Sequence, residues 1–502
     1  MAFEIVLFTD LTGQFYHNKA QGAYSLASTL RRAGFSVMVV DYFQRYLRDK
    51  KKLAEVLRKV VGKNTLFVGF SSTFYTAQLQ DDKDFKNWFD FDNGLSSVWP
   101  SEINTIKFLI SVIKKINPLI KIVYGGIKAT RPDLTTSGID IDYVIQGYAE
   151  ITAVKLAQHL KSGSEIKTRQ LGSVQLVDYD TLASEYQFAQ HQTQYEAHDI
   201  LLPGETLALE TSRGCMYNCT FCDFPLRNRK RDNQDYHISD TNLREYFMRN
   251  YELAGITNYM ITDDTFNETT NKLQRFRDVV VSTGLPLRFM CFVRIDLFEK
   301  YPEQIQLLKE AGVISIWIGI ESLNAATNKA IGKPYSKEFL EKQLANVKQQ
   351  TGPDFRIYAS FIVGLPHDTP ETVEDWVNWA IDTQSIDCIQ LAAFGLSDKS
   401  TPWPSEISKN IESFGYKKTS EITWVNHSWR DNEAVEFAQQ WQQKIWDSGR
   451  NRLAAFHLFG AMSLGYGFDE IKDISVNNLP FDDIKRRIQR QFEQYHQRLI
   501  FM

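Results

Sequence analysis

The chain has 502 residues, 43% of them hydrophobic and 24% charged, which excludes a disordered polymer and exceeds one ordinary core. Its net charge of −4 gives no general attraction to nucleic acid. No apolar run approaches the roughly 18 residues of a membrane span, so no span is expected. The N-terminus MAFEIVLFTD shows no basic leader before its short apolar run, and a cytoplasmic protein is expected.

Glu4 to Phe8 reads as a buried strand. Ala23 to Ala33 follows with apolar residues at helical spacing, and Gly34 stops it. Further strands are predicted at Ser36 to Val40, Leu66 to Phe70, Lys121 to Tyr124 and Asp142 to Ile145, with a helix at Ile103 to Ile116. Short β-branched runs alternating with helices predict an α/β fold: a doubly wound, Rossmann-like parallel sheet over residues 1–165. Residues 76–100 read as an insertion in one crossover, and 166–202 as a linker and irregular entry segment.

A second α/β series begins near Thr206. Its strands are Leu207 to Glu210, Tyr259 to Thr262, Arg288 to Phe292, Ser315 to Ile320, Ile357 to Val363 and Cys388 to Ala393, with helices such as Leu243 to Leu253 and Pro302 to Ala311 between them. Six β/α repeats over 203–400 fit a full or partial barrel, whose active site sits at the strand C-termini. Residues 401–502 form a small, mixed, α-rich C-terminal region with Trp403, Trp424, Trp429 and Trp441. Its last helix, Ile484 to Ile500, is expected to pack on the barrel with its arginines in water.

Three of the five cysteines fall within eight residues, as Cys215-Met216-Tyr217-Asn218-Cys219-Thr220-Phe221-Cys222. A disulfide framework would be dispersed and even in number. Thiolates gathered this closely repel one another, so a cation is the natural reason to gather them. Zinc would want a fourth Cys or His at matching spacing, and none is evident. Three ligands on a four-iron cluster leave one iron open. Cys215 follows the first barrel strand by five residues, on the active-site face.

The C-x3-C-x2-C segment, with Phe221 before its last cysteine, resembles the signature of the radical S-adenosylmethionine (SAM) superfamily. Residues 254–267 (AGITNYMITDDTFN), 293–297 (VRIDL), 311–322 (AGVISIWIGIES) and 361–372 (FIVGLPHDTPET) resemble that family's later strands. The resemblance implies a 4Fe–4S cluster on Cys215, Cys219 and Cys222 with SAM on the open iron. It also implies cofactor-contacting roles for Tyr217, Phe221, Asp263, Arg294, Glu321, Ser322 and Gly364. Arg227 to Arg231 (RNRKR) reads as a solvated wall, or as a face toward an anionic substrate group.

A doubly wound domain before such a barrel resembles the cobalamin-binding branch of the superfamily, over residues 1–400. The matching segments are QGAYSLASTLRRAGFSVMVVDYF (21–43), VGFSST (68–73), IVYGGIKATRPD (122–133) and IDYVIQGYAE (141–150). The resemblance implies cobalamin at the strand C-termini, near the loop from Asp10 to His17, Ser71, Ser72, Gly125, Gly126 and Gly147. The Asp-x-His-x-x-Gly motif that ligates cobalt is missing: Phe15 and Ala20 stand at its Asp and Gly positions around His17.

The implied function is methylation of an unactivated carbon through a 5′-deoxyadenosyl radical and methylcobalamin. The substrate would be a small molecule or peptide, and the electron donor a protein such as flavodoxin or ferredoxin. Two alternatives stay open at this level. One is a radical rearrangement or cyclisation with cobalamin as auxiliary. The other is a cobalamin- or redox-responsive binding protein with a degenerate barrel.

Overall fold

The computed structural model describes residues 2–9, 12–13, 16–17, 19–71, 102–126, 140–171, 174–177, 188, 193–224, 226–228, 236–333, 335–397, 403–420, 423–430 and 432–502. The chain forms two compact units. One comprises Met1–Leu207, Arg249–Ile256 and Asp482–Met502; the other comprises Ala208–Met248 and Thr257–Phe481. The fold is α/β, as the alternation of strand and helix predicts.

The first unit is built on β1 (Ile5–Phe8), β2 (Val37–Val40), β3 (Phe67–Ser71), β4 (Lys121–Gly126), β5 (Tyr143–Gln146), β6 (Thr168–Leu171) and β7 (Val174–Val177). Their order is β2-β1-β3-β4-β5-β7-β6. Pairings are parallel, with Ile5 opposite both Val37 and Phe67, except that β6 runs antiparallel to β7. β1, β2 and β5 are buried on both faces, which is why they read as unbroken apolar runs. Strand order reverses at β1, so a topological switch point lies between the carboxyl ends of β1 and β3.

Two features depart from the sequence reading. Residues 168–171 and 174–177, expected in a linker, add an antiparallel pair of strands to the sheet edge. Its strands are four residues long and one is largely polar, so no periodicity announced them. The last helix, Phe481–Phe501, packs into the first unit rather than on the barrel. Its Phe492, Tyr495 and Leu499 join the core that holds Phe8, Val40, Tyr42 and Tyr46. Ring centroids of Tyr495 and Tyr42 stand 5.1 Å apart, and those of Phe492 and Tyr46 5.0 Å.

Tyr495 also closes a buried polar cluster. Its Oη accepts the Asp41 backbone N–H at 2.9 Å. The Asp41 carboxylate accepts from Lys19 Nζ at 2.7 Å and from the Tyr24 hydroxyl at 2.5 Å. Tyr495→Ala is therefore expected to cost about 3–5 kcal/mol in urea unfolding. Arg486→Ala, on the exposed side of the same helix, should change stability by less than about 0.5 kcal/mol.

The second sheet comprises β8 (Thr206–Leu209), β9 (Asn258–Ile261), β10 (Arg288–Val293), β11 (Val313–Glu321), β12 (Arg356–Val363) and β13 (Cys388–Ala393), in sequential order with β8 and β13 as edges. From β9 to β13 the pairings are parallel. This is the partial-barrel outcome. The helix Ala455–Ser463 packs against β9 to β12 and brings Phe456 to an aromatic layer with Phe292, Trp317 and Tyr358. Those rings lie 4.4–5.2 Å from Trp317.

Candidate functional site

The cysteine loop leaves β8 and is tied down before the first thiol. Asp263, past the end of β9, is fully buried, and its carboxylate takes four hydrogen bonds. The Thr211 N–H donates at 2.6 Å and its hydroxyl at 2.5 Å; the Ser212 N–H donates at 3.1 Å and its hydroxyl at 2.8 Å. Lys272, equally buried, pairs with Asp263 at 2.8 Å and Glu268 at 3.2 Å. Burial by itself would raise the Asp263 carboxyl; Lys272 and the four donors outweigh it and hold it below its usual value. Arg213 then grips Glu210 through two hydrogen bonds of 2.9 and 2.8 Å. Gly214 has φ +87°, a turn into the thiols that a side chain would resist.

Beyond that turn the three cysteines are partly buried and free. The Cys215 sulfur meets Thr265 Oγ1 and the Tyr217 N–H, each at 3.4 Å. The Cys222 N–H donates to the Cys219 carbonyl at 3.1 Å, so the chain turns back between these two ligands. Arg294 Nη1 lies 3.5 Å from the Cys219 sulfur, and its guanidinium covers the Tyr217 ring at 4.1 Å. Burial, then the neighbouring Cys219, Asp223 and Asp264, push the Cys222 thiol up to about 12; burial also raises Cys215.

Among the described residues, no three His, Cys, Asp or Glu side chains group closely enough to ligate one metal ion, the cysteines included. A cubane asks for a different arrangement, because each thiolate meets its own iron. The donor set is soft, sulfur-only and three in number, which fits an iron–sulfur cluster with one open corner. Cys291 and Cys388 lie within strands at 0% and 1% exposure, in the core.

Around the loop stand the other residues singled out from the sequence. Glu321 ends β11 with φ +71° and pairs with buried Lys333 at 2.7 Å. Lys333 also lies over the Phe221 ring at 5.7 Å. Burial works against its ammonium, and Glu321 more than compensates. The pair folds back over Gly319, where an added Cβ would lie 2.2 Å from Glu321 Oε1 and 2.9 Å from Lys333 Nζ. Ser322 donates to Asp368 at 2.9 Å, as does Thr327. Gly364 has φ +89°, and a Cβ there would meet the Trp424 ring at 2.6 Å. Trp424 and Trp429 are buried, and their indole N–H groups donate to the Phe394 and Asp368 carbonyls at 2.9 Å. These tail tryptophans brace the ends of β12 and β13.

Lys272, Lys333, Asp264 and Asp368 were not legible as site residues. Each matters through a partner brought by another element. Burial, then Asp263 and Glu210, push Asp264 up to about 7. Burial pushes the Asp368 carboxyl up to about 7, and its Oδ2 is buried without a hydrogen bond. An unfolded aspartate ionises near 3.8, so ionised Asp368 opposes folding increasingly as pH rises from there toward 7. Asp368→Asn is expected to raise stability by about 1–3 kcal/mol at pH 8 and to change little at pH 4, measured by urea unfolding.

In the first unit, Gly125, Gly126 and Gly147 stand at the carboxyl ends of β4 and β5. Gly126 has φ +116° and Gly147 φ +70°. The Gly125 Cα faces β5, where a Cβ would lie 3.4 Å from the Ile145 carbonyl oxygen. Three positions without a Cβ at the carboxyl ends of two adjacent interior strands leave room for a broad flat ligand such as cobalamin. Asp10 and Ser72 lie outside the described residues, as do 76–100. His17 and Ser71 are described as backbone, His17 in a short antiparallel pair with Thr12.

Residues 209–380 match the model of the Radical SAM superfamily. An uncharacterized methyltransferase of Pyrococcus horikoshii is 28% identical over 58% of this chain and 63% of its own length. The hopanoid C-2 methylase of Rhodopseudomonas palustris is 26% identical over 33% of this chain and 31% of its own. The chain thus spans less than two thirds of these curated relatives. The fold is similar to that of the radical SAM methyltransferase TsrM of Kitasatospora setae, solved with cobalamin and a [4Fe–4S] cluster: TM-score 0.62, 16% identity, 97% of this chain and 100% of that one. It is also similar to the cobalamin-dependent radical enzyme OxsB, with TM-score 0.55 and 17% identity over 82% of this chain and 56% of that one.

Proposed function

We propose that this chain, whose residues 209–380 match the radical SAM superfamily, is a cobalamin-dependent radical SAM methyltransferase acting on an unactivated carbon of a small molecule or peptide. The observation that carries this reading is the three-cysteine loop, anchored through Asp263 and Lys272 at the carboxyl end of a partial barrel. The fold's likeness to TsrM and OxsB supports it. Bound at these two sites, a four-iron cluster with SAM would supply one-electron cleavage of a sulfonium C–S bond, and cobalamin a methyl carrier.

The chain's own part is positioning. Cys215, Cys219 and Cys222 would hold the cluster, with Arg294 placing positive charge beside the Cys219 sulfur. Glu321 and Lys333 form a buried ion pair beside the Phe221 ring of that loop, suited to the polar ends of SAM. Gly125, Gly126 and Gly147 would leave room for the corrin at the carboxyl ends of the first sheet's strands.

Anaerobically reconstituted protein is expected to bind iron and sulfide, to bind hydroxocobalamin with a shifted visible spectrum, and to release 5′-deoxyadenosine when reduced. Labelled methyl from SAM should then appear in a molecule of the source cell. Relatives named as anaerobic magnesium-protoporphyrin IX monomethyl ester cyclases, such as that of Cereibacter sphaeroides at 23% identity, favour radical cyclisation as the second reading. Release of 5′-deoxyadenosine with an unlabelled, altered product would select it. Protein that binds cobalamin but never forms 5′-deoxyadenosine would point to the binding protein.

A further inference from the structure

We propose that the amino-terminal end of the partial barrel holds a second binding site, for a small molecule that carries a phosphate group. A cavity of about 510 Å³ opens there, lined by Lys348, Gln349, Gln384, Ser385, Asp387 and Arg452 among others. Lys348 lies near the end of the helix Lys337–Thr351, in the approach to β12, and Gln384 to Asp387 form the turn that leads into β13. The cavity thus sits where these strands begin. Glu321 and Gly364, described above, stand at the opposite end, where β11 and β12 finish. The volume is that of a small-molecule site and leaves room for an organic body beside an anion.

The charge at this cavity is unbalanced. Among the described residues Asp387 is the one acid in the wall, and its carboxylate is already committed. Oδ2 accepts from Lys348 Nζ at 2.5 Å and from the Ile357 N–H at 2.8 Å, and Oδ1 lies 3.5 Å from Arg356 Nη1. Arg356 is buried behind the wall; it also donates to the Pro353 and Lys472 carbonyls, and its Nε has no hydrogen bond. Asp354 faces Lys472 at 3.7 Å instead. Arg450 is occupied by the Ile381 and Thr383 carbonyls at the end of the helix Pro370–Asp382, the ordinary place of a cation at a helix C-terminus. Arg452 differs: its backbone N–H donates to the Asp387 carbonyl at 2.8 Å, and among the described residues its guanidinium meets no carboxylate. Lys348, Arg356 and Arg452 therefore share one carboxylate, which leaves two positive charges. Burial, with Arg356 and Arg452 adding to it, holds the Lys348 ammonium below its ordinary value although Asp387 pulls the other way.

A phosphate monoester carries about −1.5 to −2 at pH 7 and matches that excess, where one carboxylate would not. A guanidinium also meets phosphate through two parallel hydrogen bonds. The neutral groups of the wall supply further donors. Gln384 Oε1 accepts from Arg450 Nη1 at 3.0 Å, which leaves its NH2 group to donate, and the Gln349 amide and Ser385 hydroxyl line the same space.

The test is calorimetric titration of the full chain with ribose 5-phosphate, inorganic phosphate, ribose and malonate. Ribose 5-phosphate is expected to bind with a Kd of about 1 mM or below, inorganic phosphate no more tightly, and ribose not at all. Arg452→Glu should weaken ribose 5-phosphate at least about tenfold, because it turns the free cation into a repelling charge. Gln384→Glu, which gives Arg450 a carboxylate and adds a negative charge to the wall, should weaken it in the same direction. Both positions are exposed, so both variants should unfold in urea as the wild type does, and either one alone can decide the matter. Absence of binding by both phosphate probes up to about 10 mM overturns the proposal. Equal binding in the wild type and both variants also overturns it, since the probe then sits elsewhere. Ribose binding as tightly as its phosphate, or malonate more tightly than either phosphate probe, overturns the assignment to a phosphate group. None of these outcomes depends on cluster loading or on formation of 5′-deoxyadenosine, so the proposed function stands or falls separately.

Discussion

Cys219→Ala is expected to leave the reconstituted chain with little bound iron and no measurable 5′-deoxyadenosine. Losing an outer partner of a metal ligand costs about 10–100-fold in affinity or activity, and losing the ligand itself should exceed that. Cys219 is the middle ligand of the three, and the loop is built around it. Its carbonyl receives the Cys222 N–H, its sulfur faces Arg294, and buried Lys333 lies near it. Cys291→Ala and Cys388→Ala are the controls. Both thiols are sealed in the second sheet, where burial pushes their ionisation up, and neither adjoins the loop in sequence. These two variants should lose some stability by truncation in the core and still load iron. Iron and sulfide analysis of the three proteins side by side decides the matter, and equal iron in all three would refute the assignment of ligands.

Lys272→Met is expected to be the most destabilising change in the second unit. It removes the cation that stands 2.8 Å from fully buried Asp263. Breaking one side of a buried pair costs about 3–5 kcal/mol, because the remaining charge is stranded. The loss should spread to the cysteine loop, since Thr211 and Ser212 hang from that carboxylate, so iron loading should fall as well. The pH dependence supplies a signature. In the wild type the lowered Asp263 carboxyl contributes stability that is present above its unfolded value near 3.8 and lost as pH falls through the folded one. The Lys272 ammonium, which burial disfavours and Asp263 raises on balance, keeps its contribution through neutral pH and loses it only on the alkaline side. Without Lys272, burial of Asp263 dominates and the sign reverses. The variant should be more stable at pH 5 than at pH 8, whereas the wild type should not. Urea unfolding at the two pH values reads this directly, and a parallel loss at both would show that Asp263 has found another counter-charge.

Strand positions were legible almost throughout. β1, β2, β3 and the six barrel strands fall within two residues of their predicted bounds, because buried parallel strands are unbroken apolar runs between glycines and polar turns. The thiol ligands were legible for a related reason: three cysteines in eight residues lie within one loop whatever the rest of the chain does. The β6–β7 pair was not, since short edge strands carry no such contrast.

By itself, then, the sequence determined the order of strands and helices, the two α/β series, and the sulfur ligands in one turn. These are local facts, set by side-chain periodicity and by distance along the chain. Only the tertiary structure decided that Asp263 holds the loop through Lys272, that Lys333 answers Glu321, and that Trp424 fills the space beside Gly364. It also decided that the last helix covers the first sheet. Its stripe of Ile484, Ile488, Phe492, Tyr495 and Leu499 calls for an apolar partner without saying which. Hydrophobic burial is non-directional, and a buried charge accepts any opposite charge that reaches it. Such choices are made by which surfaces meet, and no single stretch of chain records them.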